Sequence, residues 1–229
     1  YRTVVDPSTT FTPQPSEVSE VKWMSRADVV KLAEGEEITD GLRQVIEQYY
    51  RKGEGGSMTK RAVILHGTDS IPGELRWEVW LKKQLEASGY EVFYPQLPDC
   101  HTPNLATYDA FLRESGWDFT DNVVIGHSSG ATTLLHLLGQ DWFPKLKAAV
   151  LVGAFLNESK IKSESWYEAV QFDNLFVEEC DPAVIREGAE KLCFVHGDDD
   201  PFCDYDLARE LCKQVGGTFV SVPGGGHIG

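Results

Sequence analysis

The stretch Val123–Ala131 reads Val-Val-Ile-Gly-His-Ser-Ser-Gly-Ala, and it decides the fold. A short apolar run leads into the pattern Gly-x-Ser-x-Gly, and a small-residue stretch typical of a helix follows. This is the sequence form of a nucleophile elbow, a sharp strand-to-helix turn that holds a serine at the edge of a sheet. We expect Ser128 to have a strained backbone, so the glycines two residues before and after it must lack bulk. The alternative is an ordinary turn serine, because the pentapeptide alone can arise by chance.

The residues around this stretch alternate between strand and helix patterns, which predicts an α/β fold. Strands of nearly continuous apolar character, separated by helices, are typical of a mostly parallel sheet with helices on both faces, a three-layer sandwich. The reactive groups of such sheets lie at the carboxyl ends of the strands. The predicted strands are Ala62–His66, Glu91–Tyr94, Asn122–Ile125, Ala148–Val152, Leu192–His196 and Thr218–Val222. The predicted helices are Trp77–Ser88, Leu105–Glu114, Ala131–Leu138, Ala183–Glu190 and Tyr205–Val215.

A Gly-rich polar segment divides the chain. Residues 53–57 are predicted to be a flexible linker. The preceding residues, 1–52, show one short strand pattern and two helix patterns, too little to bury a core of their own. Residues 58–229 contain the strand and helix alternation and are predicted to form the main domain.

Composition limits the partners. The 229 residues carry a formal net charge of −15, which disfavours nucleic acid and anionic membrane surfaces. No stretch approaches the ~20 consecutive apolar residues of a membrane helix. The five cysteines form no Cys-x-x-Cys pair, which argues against a structural zinc site. Reduced thiols fit a cytoplasmic protein best.

Three segments that follow predicted strands carry chemistry. Ser128 follows the third strand, the acidic run Asp198–Asp200 follows the fifth, and His227 follows the sixth. The order Ser…Asp…His is that of the α/β-hydrolase triad, in which an imidazole takes the serine proton and a carboxylate orients the imidazole. The alternatives are a solvated acidic turn, a metal site formed by these aspartates with His196, and a solvated loop histidine at position 227.

The predicted site has two further parts and needs no cofactor or metal. An oxyanion hole is expected from the backbone amides of Thr68, after the first strand, and Ser129, after the nucleophile. His66, Gly67, His127 and Trp166 are expected to line the pocket. The last set of candidates is aromatic and forms either a lid over an acyl pocket or a packed helical core: Trp166, Tyr167, Phe172 and Phe176.

Residues 58–229 resemble the small serine hydrolases related to retinoblastoma-binding protein 9 and the bacterial YdeN type. The resemblance implies that Asp200, which directly precedes a proline, is the triad carboxylate. It also implies a further C-terminal helix beyond Gly229, and hydrolysis of a small carboxylic ester or thioester. A protein-binding module with a weak or inactive site is the rival, because relatives are named for protein partners. The matching segments are Ala62–Gly67, Trp80–Leu85, Pro95–Asp99, Gly126–Gly130 and Asp199–Phe202.

The N-terminal piece resembles a different family. Glu17–Ser25 and the helix patterns after it are similar to the C-terminal end of a Nudix domain. The Nudix box that would carry metal-dependent pyrophosphate hydrolysis is absent from residues 1–52, so the resemblance implies no such activity for this chain. It implies instead a Nudix–hydrolase fusion with a regulatory N-terminal domain.

Overall fold

The computed structural model describes residues 59–70, 72, 76–162, 164, 175–176 and 181–228, together with the single positions 31 and 43. The chain divides into two units between Met58 and Thr59, and the elements below all belong to the second unit. The predicted Nudix-like segment, the linker at residues 53–57 and Trp166 lie outside the described residues, apart from those two single positions. The assignments made for them stay predictions.

Six strands and five helices alternate along the described part of this unit, which confirms the predicted α/β class. Because the longest described helix has 11 residues, none of the described helices is long and apolar enough to cross a membrane. The strands are β1 Lys60–Leu65, β2 Tyr90–Phe93, β3 Val123–His127, β4 Ala148–Val152, β5 Leu192–Gly197 and β6 Thr218–Val222. The helices are α1 Trp77–Ala87, α2 Leu105–Glu114, α3 Ser129–Leu137, α4 Pro182–Glu187 and α5 Tyr205–Gln214.

The strands form one sheet in the order β2-β1-β3-β4-β5-β6, and every neighbouring pair is parallel. The chain builds outward from β1 to one edge and then returns to add β3 on the other side of β1. Ligands of open parallel sheets bind beyond the carboxyl ends of the strands, near such a reversal of direction. The strand order therefore places a candidate site at the end of β3.

Helices cover both faces of the sheet, as predicted, but unequally among the described residues. Leu65, Val124 and Phe194 face the larger core, which also contains residues of α2, α3, α4 and α5. The opposite face carries Ile64 and Ile125, and α1 is the described helix that packs there. Each of these side chains is at most 5% exposed, and burying one contributes about 1.5–3 kcal/mol to folding.

The helix boundaries differ from the predicted ones where local chemistry intervenes. Helix α3 begins at Ser129, two residues earlier than predicted, because Ser128 is its N-cap residue. Helix α4 ends at Glu187, before the predicted Glu190, because Ala189 pairs with Leu146 in a parallel bridge.

Candidate active site

Ser128 sits in a tight elbow between β3 and α3. Its backbone angles are φ 54° and ψ −122°, a conformation that costs energy for any residue with a side chain. A Cβ added at Gly126 would lie 2.6 Å from Ala131 Cα, and one at Gly130 would lie 2.3 Å from the Leu65 carbonyl oxygen. The prediction that both flanking positions must lack bulk is confirmed.

The structure brings Ser128, His227 and Asp200 into one hydrogen-bonded chain. The Oγ atom of Ser128 lies 3.0 Å from Nε2 of His227. The Nδ1 atom of His227 lies 3.0 Å from Oδ2 and 3.2 Å from Oδ1 of Asp200. Three loops that are up to 99 residues apart in sequence therefore meet at the carboxyl edge of the sheet.

Asp200 is held as a buried carboxylate. Its side chain is fully buried, and Oδ1 accepts hydrogen bonds from the backbone N–H groups of Phe202 at 2.8 Å and Cys203 at 3.0 Å. Burial alone would raise the pKa of Asp200. The contact with His227 and the two N–H donors outweigh burial and hold that pKa below its ordinary value. The group is therefore suited to stay ionised and to accept a hydrogen bond from Nδ1 of His227.

The two neighbouring aspartates support the loop that carries His227. Asp198 Oδ1 accepts from the N–H of Gly224 at 2.8 Å, and Asp199 Oδ1 accepts from that of Gly226 at 2.7 Å. Both residues are exposed, but each accepts a hydrogen bond from the His227 loop, so they do not form a merely solvated acidic turn. Gly197 permits this close approach, since a Cβ there would lie 2.2 Å from the Gly226 carbonyl oxygen.

The imidazole of His227 is enclosed by other rings. The ring centroids of Phe202, His127 and Phe155 lie 5.1, 5.4 and 5.5 Å from it, and the side chain is 20% exposed. This arrangement is not that of a solvated loop histidine. Of the four predicted lid aromatics only Phe176 is described, and it packs against a small buried apolar cluster next to Phe155.

The loop after β1 lies beside the start of α3, as an oxyanion hole requires. Thr68 Oγ1 donates a hydrogen bond to Ser129 Oγ at 3.1 Å. The backbone N–H groups of Thr68 and Ser129 form no hydrogen bond with any described residue. Gly67 allows the approach, because a Cβ there would lie 2.9 Å from Cβ of Ser128. Two backbone donors that have no partner among the described residues therefore lie near the nucleophile.

His66 and His127 are both buried, and the expectation that they line a pocket stays a prediction. His66 is fully buried; Nδ1 lies 2.8 Å from the Gly67 carbonyl oxygen, and Nε2 accepts from the N–H of Leu97 at 2.8 Å. Burial lowers the pKa of His66, which keeps the ring neutral in this role. Through its contact with the Gly67 carbonyl, the His66 ring holds the Gly67–Thr68 loop in place. The side chain of His127 is also buried.

The residues near His227 fit a metal ion poorly. The ligand atoms of Asp200, Cys203 and His227 lie within 4.8 Å of one another. Burial raises the pKa of the Cys203 thiol well above its ordinary value, and that thiol donates to the Gly153 carbonyl at 3.0 Å. A protonated thiol and an already engaged carboxylate are poor ligands.

His196 is not part of the group of potential metal ligands that the described residues form near the aspartates, which comprises Asp200, Cys203 and His227. Its ring is fully buried and stacks on Phe219 with an interplanar angle of 10°. Neither ring nitrogen has a hydrogen-bond partner among the described residues.

Glu78 was missed by the sequence analysis. It lies in the first turn of α1, fully buried, with its carboxylate near His127. One sequence signal was available: Glu78 shares a helix face with Leu81 and Leu85, which pack on the sheet. An acidic residue in an apolar stripe indicates a buried charge with a specific partner.

A family model described as serine hydrolase matches residues 62–229. The chain belongs to the serine hydrolase family. No curated protein matches this chain.

Solved structures of the same fold include the ydeN gene product of B. subtilis, at 23% identity and a TM-score of 0.65, covering 74% of this chain and 88% of that one. Est1E from Butyrivibrio proteoclasticus has 17% identity and a TM-score of 0.55, covering 76% and 82%. The esterase domain of a Rhodothermus marinus protein has 16% identity and a TM-score of 0.53, covering 76% and 80%. The resemblance to YdeN-type hydrolases is thus confirmed, and this serine hydrolase shares its fold with structures named as esterases.

Proposed function

We propose that this serine hydrolase cleaves small carboxylic esters or thioesters through an acyl-enzyme on Ser128. The observation that carries the proposal is the chain of contacts from Ser128 Oγ to His227 Nε2, at 3.0 Å, and from His227 Nδ1 to Asp200 Oδ2, at 3.0 Å. A serine hydroxyl is a weak nucleophile until a base at hydrogen-bond distance takes its proton.

In the first half-reaction His227 Nε2 takes the proton from Ser128 Oγ as the oxygen attacks the carbonyl carbon. The carbonyl oxygen becomes an oxyanion, which accepts hydrogen bonds from the backbone N–H groups of Thr68 and Ser129. The start of α3 adds a favourable helix dipole. The carbon–leaving-group bond then breaks, and the leaving alcohol or thiol receives the proton held by His227.

In the second half-reaction water replaces the leaving group. His227 takes a proton from water as the hydroxide oxygen attacks the acyl carbon, and the tetrahedral adduct forms again. Its collapse breaks the bond to Ser128, whose oxygen recovers the proton from His227. Asp200 stays ionised throughout, accepts the Nδ1 hydrogen and stabilises the positive imidazolium. The complete reaction consumes one water molecule and requires no cofactor.

Two features favour a small neutral substrate. Phe155 and Phe202 flank the imidazole and offer an apolar surface beside the reacting atoms. The net charge of −15 disfavours anionic substrates and assists the release of a carboxylate product. Two of the structures with this fold are named as esterases, which supports ester chemistry. A cytoplasmic location accords with the free thiols of Cys100, Cys193, Cys203 and Cys212.

Hydrolysis of short-chain p-nitrophenyl esters tests the proposal. We expect wild-type turnover, and a fall in kcat of at least about 10³-fold in Ser128→Ala, because among the described side chains the Ser128 hydroxyl is the one in hydrogen-bond contact with His227 Nε2. Ser129→Ala is the matched control: it removes the neighbouring hydroxyl but keeps the backbone N–H. A folded wild type that turns over no ester, or equal rates in wild type and Ser128→Ala, would support the protein-binding module instead.

A further inference from the structure

A second carboxylate and a second imidazole lie behind the proposed nucleophile. Glu78 is in the first turn of α1 and His127 is the last residue of β3, and their side chains are 1% and 6% exposed. Glu78 Oε1 lies 3.4 Å from His127 Nδ1. Among the described residues, no aligned hydrogen bond reaches either oxygen of Glu78. Because a buried charge is costly unless it is paired, the carboxylate depends on His127.

The other ring nitrogen of His127 faces the main chain of the proposed base. His127 Nε2 lies 3.3 Å from the carbonyl oxygen of His227. The two neighbours of the ring, a carboxylate and a carbonyl, are both hydrogen-bond acceptors. A neutral imidazole carries one N–H and can satisfy one of them, leaving the other acceptor opposite a lone pair. Both acceptors therefore have a hydrogen-bond donor only when the Glu78–His127 pair holds one proton more than an ionised Glu78 beside a neutral His127.

We propose that Glu78 and His127 share a proton and thereby position the backbone of His227, an inference that rests on the proposed function. The proton lies on Nδ1 of His127 as an ion pair or on the carboxyl of Glu78 as a neutral pair. Both forms keep hydrogen on Nε2, so both donate to the His227 carbonyl. Glu78 thus acts through His127 as a positioning residue.

The surroundings of the pair favour its ion-pair form, with Glu78 ionised. The charged and titratable groups that face it are Arg76 ahead of α1, His66 after β1 and His227. Burial alone would raise the pKa of Glu78, but the contact with His127 leads the effects that lower it, with Arg76 contributing. The net result is a pKa below the ordinary value. The first turn of a helix also favours an acidic side chain.

The consequence is a further contact that holds the loop of the proposed base, in addition to those of Asp198 and Asp199. Asp199 holds this loop through the N–H of Gly226, and the Glu78–His127 pair holds it through the carbonyl of the next residue. The reacting contact from His227 Nε2 to Ser128 Oγ is 3.0 Å. A displacement of about 1 Å at a reacting centre can reduce the rate by about 10²-fold.

Two substitutions at position 78 test the role of the pair. In Glu78→Gln the side-chain amide can still donate to His127 Nδ1, which preserves hydrogen on Nε2, so we expect kcat within about threefold of wild type. In Glu78→Leu nothing holds Nδ1, and we expect kcat to fall by about tenfold or more with KM nearly unchanged. Glu86→Gln is the matched control on the same helix, since Glu86 is exposed and pairs with Lys82.

Nitrogen NMR of the histidine rings provides a readout besides activity. We expect His127 Nε2 to be protonated at neutral pH in wild type and in Glu78→Gln. An unprotonated Nε2 overturns the proposal, and so does a folded Glu78→Gln that has lost tenfold in kcat or a folded Glu78→Leu with wild-type kcat. If Glu78→Leu does not fold, the other two results decide. An inactive folded wild type would instead overturn the proposed function, while the NMR result would still judge the pair.

Discussion

Replacing Asp200 with asparagine is expected to reverse the tautomer of His227. Oδ1 of Asp200 already accepts from two backbone N–H groups, at 2.8 and 3.0 Å. In Asp200→Asn the amide oxygen must keep that position, because an NH₂ group there would oppose two donors. The NH₂ group then takes the Oδ2 position, 3.0 Å from His227 Nδ1. Nδ1 must now accept, so Nε2 carries hydrogen and cannot take the proton of Ser128.

The expected loss is large because the substitution removes the base and not merely a contact. An amide in place of the triad carboxylate lowers kcat by about 10⁴-fold in a serine protease with the same Ser-His-Asp geometry, which is about 5 kcal/mol of transition-state stabilisation. The steady-state rate of p-nitrophenyl ester hydrolysis measures it, with unfolding by denaturant as a check on folding. KM should change little, because Asp200 contacts no substrate.

Asp198→Asn and Asp199→Asn are the matched controls. Each makes the same Asp→Asn change at a position next to or near residue 200. In each variant the amide oxygen can still accept a hydrogen bond from the N–H of Gly224 or Gly226. We expect each to retain kcat within about fivefold, since charge contributes little to an exposed contact. The reasoning fails if Asp200→Asn stays within tenfold of wild type, or if either control loses as much as Asp200→Asn.

Two further predictions concern stability and the elbow. Burial lowers the pKa of His196 to about 4, below its unfolded value of 6.5. The free energy of unfolding is therefore unaffected by this group above pH 6.5 and decreases by about 3 kcal/mol as the pH falls from 6.5 to about 4, because the unfolded chain then binds a proton that the folded chain does not. His196→Leu should remove this dependence in denaturant unfolding at several pH values, and an unchanged pH slope in His196→Leu refutes the reasoning. In Gly130→Ala the added Cβ would meet the Leu65 carbonyl oxygen at 2.3 Å, so we expect at least about 2 kcal/mol of destabilisation. Gly139→Ala, whose nearest new contact is 3.5 Å, should cost less than half as much, and equal losses in both variants would contradict the steric argument.

Much of the fold was predictable because its strands carry long apolar runs and its helices have clear ends. The third strand and the elbow appear directly in Val123–Gly130, and the alternation of elements gave the parallel sheet. Boundaries were less accurate where a cap or a bridge decided them. The start of α3 at Ser129 depends on the N-cap geometry of Ser128, and the end of α4 depends on the pairing of Ala189 with a distant residue.

The site was predictable in its residue types but not in its supporting contacts. The choice of Asp200 among three adjacent aspartates came from the family resemblance, and the separate contacts of Asp198 and Asp199 leave no trace in the sequence. His66 was predicted to line the pocket because it ends the first predicted strand, but its Nε2 accepts from the N–H of Leu97, which lies in another loop. The Glu78–His127 pair joins residues 49 positions apart by numbering, so only the folded chain shows it.

The most direct test of the central claim is the intact mass of the protein after reaction with a fluorophosphonate, followed by mapping of the modified peptide. A hydroxyl activated by His227 should gain one phosphonyl group per chain, located on Ser128. The folded variants Ser128→Ala and His227→Gln should gain none at the same exposure. An unmodified folded wild type, or modification that persists in Ser128→Ala, would contradict the assignment of Ser128 as the nucleophile.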